Sequence, residues 1–100
     1  MAIKITKENF DDIIMNNETV LLDFWATWCG PCQMIGPVIE QIAEENPSVA
    51  VGKVNVDDER ELAVKFGITA IPTLVAFKNG KVSSKEVGFV SKPKIEAMIK

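Results

Sequence analysis

Hydrophobic residues recur along this chain in two rhythms, every second residue and every third or fourth, and the switches between them mark out its elements. Residues 2–6, Ala-Ile-Lys-Ile-Thr, alternate as a short strand does, and Thr6 can then cap a helix over residues 7–15 with Phe10, Ile13 and Ile14 on one face. Asn16-Asn17 ends it. Residues 20–25, Val-Leu-Leu-Asp-Phe-Trp, are apolar almost without break, the pattern of a strand covered on both faces, which predicts the centre of a sheet. From Cys32 to about Asn46 the spacing of Met34, Ile35, Val38, Ile39 and Ile42 is helical. Pro37 lies inside that helix, where it removes an amide donor and crowds the carbonyl four residues back, so a kink is expected. Residues 49–56 read as a second buried strand; Asp57-Asp58 open a short helix to about Phe66, and Gly67 stops it. Residues 73–78 and 81–87 flank Asn79-Gly80, a pair that tolerates the positive φ of a type I′ turn, so a hairpin is expected. Ser91 caps a last helix with Pro93 in its first turn and Ile95, Met98 and Ile99 facing inward.

The order is β-α-β-α-β-α-β-β-α, with parallel crossovers first and a hairpin last. It predicts an α/β three-layer sandwich, a central mixed β-sheet flanked by helices on both faces. No linker or repeat divides the chain, so residues 1–100 are expected to form one domain. Composition adds exclusions. The net charge is -3 and the signs are mixed along the whole length, so the clustered basic footprint of a nucleic-acid binder is missing. The start of the chain carries no continuous apolar region of the secretory kind, and the most apolar later stretch, residues 68–77, is far below the roughly 20 residues that cross a bilayer. The expected compartment is the cytoplasm, with no membrane partner. A lone pair of cysteines there is more often catalytic or metal-binding than a structural staple.

The sequence contains no His and no Tyr, which removes Ser-His and Cys-His nucleophile pairs and imidazole metal ligands. Chemistry falls to two thiols, the carboxylates and the basic side chains. Cys29 and Cys32, three residues apart at a helix start, can lie on one face at a distance a disulfide bridges. Cys29 sits where unpaired amides and the helix dipole favour an anion, so it is the expected nucleophile. Cys32, a turn deeper, is the expected resolving thiol. Gly30 lets a substrate backbone approach, and Pro31 is tolerated in a first helical turn. By itself a C-x-x-C is also half a zinc site, but with no further Cys or His the tetrahedral set needs carboxylates or a second subunit. No metal and no cofactor are expected. Asp23 stands in the middle of the apolar strand. Burial would raise its pKa and suit it to take the proton of Cys32; a strand-end Asp facing solvent is the alternative.

These residues resemble the thioredoxin family. The resemblance is carried by Asp23-Phe24-Trp25-Ala26, Trp28-Cys29-Gly30-Pro31-Cys32, Pro37, Lys53-Val54-Asn55-Val56-Asp57, Phe66-Gly67-Ile68, Ile71-Pro72-Thr73 and Phe77-Lys78-Asn79-Gly80, in order over essentially the whole chain. A lowered thiol pKa in this motif is an established property of that family and no deduction from the spacing. The resemblance implies Cys29 as nucleophile, Cys32 as resolving thiol, Asp23 as buried proton acceptor and Lys53 beside it as modulator of its charge. It implies a cis Pro72, which the residues alone leave open. It also implies a flat apolar docking groove bordered by Trp28, Gly30, Pro31, Ile71, Gly88 and Phe89, with the backbone before Pro72 pairing with an extended substrate. Trp25 is assigned to the core and Trp28 to the groove. Gln33, Thr27 and Phe66 depart from the common pattern of a basic residue, an acidic residue and Tyr at those positions. The implied activity is reduction of disulfides in target proteins, with a thioredoxin reductase as electron source and a monomer as the working form. The same fold also supports a disulfide oxidase or isomerase, against which the redox-tuning Gly30-Pro31 dipeptide favours a reductant, and a redox-silent binding module.

Overall fold

The computed structural model describes residues 1–100. Its elements in chain order are β1 (Ile3–Lys4), α1 (Phe10–Met15), β2 (Thr19–Trp25), α2 (Gly30–Glu45), β3 (Ala50–Asn55), α3 (Arg60–Lys65), β4 (Thr73–Lys78), β5 (Lys81–Val87) and α4 (Lys92–Met98). The order matches the expected one. The sheet runs β1-β3-β2-β4-β5, so the apolar run of β2 does occupy the centre. β3 lies parallel to both β1 and β2, while β4 is antiparallel to β2 and β5.

Alternation along the central strand builds the layers. Val20, Leu22 and Phe24 point to one face and pack with Phe10 and Ile14 of α1, Leu62 of α3 and Phe77. Phe66 joins that layer: its ring centroid lies 5.5 Å from Phe77 and 5.6 Å from Phe10, so the position where Tyr was the common residue is an aromatic packing site here. Leu21 points to the other face and packs with Ile35, Ile39 and Ile42 of α2 and Ile95 and Met98 of α4. Helices therefore cover both faces. The same period of two sends Asp23 to the α2 and α4 side, between Lys53 of β3 and Leu74 of β4 in register. No helix is long and apolar enough to cross a membrane.

Several local expectations need correction. The first strand is only Ile3–Lys4, and α1 starts at Phe10 with Asn9 at its N-cap position, not at residue 7 under Thr6. Asn9 Oδ1 accepts the Thr6 amide at 2.8 Å, so an Asn side chain closes a turn where a Thr cap was expected. Asp57-Asp58 do not open α3, which starts at Arg60. Both amides are taken by Asn55 Oδ1, at 2.9 and 3.3 Å, which makes a turn before the helix. Ser91 stands at the N-cap position of α4 without a side-chain bond to it. Met34 sits on the helical rhythm but is exposed, while Cys32 and Ile35 on either side of it are buried. α2 is continuous through Pro37. The hairpin turn has positive φ at both Asn79 (52°) and Gly80 (82°), as the type I′ reading requires.

Candidate active site

β2 ends at Trp25 and the chain passes through Ala26 and the exposed Thr27 and Trp28 into α2. Cys29 is the N-cap of that helix, and its sulfur accepts the Cys32 amide at 3.2 Å. An acceptor at this place satisfies one of the orphan amides of the first turn, and the helix dipole favours negative charge on it. Pro31 occupies the first turn, where its missing N–H leaves no partner wanting. Cys29 and Cys32 form a disulfide with a Cα–Cα distance of 5.2 Å. Both sulfurs belong to a small cluster with Ala26, against which Trp25 and Ile71 pack.

The loop before β4 reaches the same place. Ile71-Pro72 is a cis peptide bond, as the family resemblance implies, and the Ile71 carbonyl oxygen lies 3.7 Å from Cys29 Sγ. Pro72 is buried and its carbonyl accepts the Gly88 amide at 2.7 Å, which ties the end of β5 to the loop. Gly88 takes φ 88°, a conformation that only glycine holds without strain. Around the cysteines, Trp28 is 70% exposed and Phe89 50%, Gly30 and Pro31 are exposed, and Ile71 is half-buried. Cys29 and Cys32 themselves are buried, and the larger cavities are lined by other residues. Gln33, where a cation is common, donates instead to the Thr27 carbonyl at 3.3 Å.

Asp23 is fully buried and neither of its oxygens has a hydrogen-bond partner in the protein. Burial pushes its pKa up from 3.8 to about 7, against a smaller downward pull from the Lys53 ammonium. The solvent-facing alternative is thereby excluded. Lys53 stands beside it in register. Two relationships were missed in the sequence. Trp28 Nε1 donates to Asp57 Oδ2 at 2.9 Å, and the Lys53 ammonium lies 4.6 Å from the centroid of the Trp25 ring. Trp25 is accordingly half-buried with a polar neighbour, not wholly core. Both pairs join residues of different elements, and neither shares a local spacing that could have signalled it.

The family model described as Thioredoxin matches residues 1–100. Thioredoxin of Alicyclobacillus acidocaldarius is 44% identical over 98% of this chain and 94% of that relative. Putative thioredoxin 2 of Streptomyces coelicolor is 55% identical over 74% of this chain, and the match spans 55% of that longer relative. Among solved structures, a mutant thioredoxin from Halobacterium salinarum is similar with a TM-score of 0.93 and 37% identity, covering 98% of this chain and 87% of that one.

Proposed function

This chain belongs to the thioredoxin family, and from that premise we propose that its residues form one catalytic domain in which Cys29 attacks, Cys32 resolves and Asp23 takes the resolving proton. The protein is a thiol-disulfide oxidoreductase that reduces disulfides in target proteins and is itself reduced by a thioredoxin reductase. The Cys29–Cys32 disulfide at the start of α2 is the observation that carries this reading.

In the reduced protein the Cys29 thiolate, favoured by the Cys32 amide and the helix dipole, attacks one sulfur of the target disulfide. A Cys29–target bond forms, the target S–S bond breaks, and the departing sulfur leaves as a thiolate that takes a proton. Cys32 then gives its proton to Asp23 and attacks the Cys29 sulfur. The intramolecular S–S bond forms, the mixed disulfide breaks, and the target leaves with both thiols reduced. Two electrons have passed from the protein to the target. An Asp whose pKa lies near 7 suits that proton transfer, because it can accept a proton and lose it again at neutral pH.

Target docking is assigned to Trp28, Gly30, Pro31, Ile71, Pro72, Gly88 and Phe89. Exposed apolar area beside the Cys29 sulfur supports this, as does an Ile71 backbone next to that sulfur that can pair with an extended segment. Lys53 is assigned the tuning of Asp23. The working form is read as a cytoplasmic monomer: a dithiol that must stay reduced belongs in a reducing compartment, and the apolar rim serves targets and not a second copy. Insulin reduction followed by turbidity, with thioredoxin reductase present and absent, tests the activity. Reduction is expected only with the reductase and with both cysteines intact. Equal activity in a Cys29→Ser variant would overturn the reading and leave a binding module on the same fold.

A further inference from the structure

Asp23 and Lys53 are direct partners across β2 and β3 and so leave the sheet on the same face, yet they do not pair. The Asp23 oxygens have no hydrogen-bond partner. The Lys53 ammonium lies instead over the Trp25 ring, at 4.6 Å from its centroid. Trp25, two residues past Asp23 on β2, projects to the same face and reaches Lys53 from the end of the strand. On another side is α2 at Gly36, where an added Cβ would stand 3.9 Å from Lys53 Nζ. A cavity of about 390 Å³, lined by Trp25, Lys53, Lys4, Asn55, Asp58 and Ala2, opens beside the ammonium and lets it keep hydration away from the Asp23 carboxyl.

We propose that Trp25 is a positioning residue whose indole face holds the Lys53 ammonium beside Asp23 but out of hydrogen-bonding reach of its carboxyl, leaving that carboxyl able to keep a proton. Two attractions compete for Lys53. A cation over an indole is attracted to the ring face, and is so whatever the state of Asp23. A direct ion pair with Asp23 would instead favour the carboxylate and drive the proton off. The other groups around this place are few. β1 brings Lys4, in register with Lys53, the turn after β3 brings Asp58, β4 brings Leu74, α2 brings Glu40, one turn beyond Gly36 and bonded to the Ala2 amide at the cavity rim, and the two cysteines pack with Trp25. Lys4 repels the ammonium on the cavity side while Asp58 and Glu40 draw it there, so none of them replaces the indole as its neighbour along β2.

The inference deepens the proposed function but rests on it only for its kinetic consequence. The test is titration of the Asp23 carboxyl by carbon-13 NMR in the oxidised protein, where no thiol titrates, for wild type, Trp25→Phe, Trp25→Leu, Lys53→Met and the Trp25→Leu/Lys53→Met pair. Trp25→Met serves if the leucine variant does not fold. Trp25→Leu should lower the midpoint by about one pH unit as Lys53 closes on the carboxyl, with Trp25→Phe in between. Lys53→Met should raise it, and the double variant should match Lys53→Met alone. An unmoved or raised midpoint in Trp25→Leu, or a fall that persists without Lys53, would overturn the proposal. Single-turnover release read against pH on the same variants separates the two claims. A titration that moves while release does not would uphold the placement of Lys53 and count against Asp23 as the proton acceptor.

Discussion

The indole of Trp28 is tied to the carboxylate of Asp57 by a 2.9 Å hydrogen bond, across 29 residues of sequence. A tryptophan that is 70% exposed would otherwise sample several rotamers and lose them on docking a target. Given the docking role proposed for Trp28, Asp57 prepares that surface in advance. Asp57→Ala should raise KM for a protein disulfide several-fold with kcat nearly unchanged, the effect of losing about 1 kcal/mol of preorganisation. Asp57→Asn, which still offers an acceptor oxygen, should recover most of it. Steady-state kinetics with the reductase in excess gives the split, and a fall in kcat at constant KM would show that the bond serves the chemistry and not docking.

The order of the thiols predicts trapping behaviour. Cys32→Ser should accumulate a mixed disulfide with target proteins through Cys29, because the second attack is lost and the first is not. Cys29→Ser should trap almost nothing. Alkylation of the reduced protein, followed by mass spectrometry, should label Cys29 first; faster labelling of Cys32 would reverse the assignment of nucleophile and resolving thiol.

Asp23 makes stability depend on pH in the direction opposite to a salt-bridged carboxylate. Its folded pKa of about 7 lies above the 3.8 of the free side chain, so the folded state holds a proton that the unfolded chain releases. Its contribution is neutral below the unfolded value, becomes destabilising as pH rises between the two, and levels off above about 7. Asp23→Ala should therefore be more stable than wild type at pH 8, by roughly 1–3 kcal/mol after the cost of the small cavity. The advantage should vanish or reverse near pH 4. Release of target in a single turnover should slow while the first attack is spared. Denaturant unfolding of the oxidised proteins across pH measures the first part, and a mutant less stable at pH 8 would contradict it.

Gly36 and Gly52 predict opposite outcomes for the same substitution. A Cβ on Gly52 would stand 2.7 Å from Ile5 Cδ1 and 3.0 Å from a Leu22 methyl, inside a fully packed layer. Gly52→Ala should destabilise by about 1–3 kcal/mol. A Cβ on Gly36, in the interior of α2, meets only Lys53 Nζ at 3.9 Å, an ordinary contact. Gly36→Ala should stabilise by up to about 1 kcal/mol through helix propensity. Thermal or urea midpoints of the two variants decide both.

Much of this was legible in the order of residues. The run Val20 to Trp25 marks a central strand because a strand covered on both faces is apolar at successive positions, and β2 is that strand. Asn79-Gly80 specifies its hairpin because the turn demands positive φ at two adjacent residues. The cysteine pair three apart at a helix start carries its own chemistry, since one turn of helix is the distance a disulfide spans. These signals are local: the residues that make them lie within a turn or a strand of one another.

Where a nearby Asn engages the residue expected to cap a helix, the local signal was not enough. Thr6 and Asp57 are both good caps, yet neither is the N-cap residue: Asn9 accepts the Thr6 amide and Asn55 accepts the Asp57 and Asp58 amides, which makes turns at those places. Met34 follows the helical rhythm but meets solvent, since the rhythm says which face a residue is on and not whether anything covers that face.

Spacing along the chain was enough to specify the elements, their order, the central strand and the reacting pair. What each polar side chain near that pair faces was settled on folding: Asp57 the Trp28 indole, Lys53 the Trp25 ring, and Asp23 no partner at all. The reason is physical. A side chain's charge state and orientation are set by the groups within a few ångströms of it, and in a sheet with crossover connections those groups arrive from strands and loops far away in the chain.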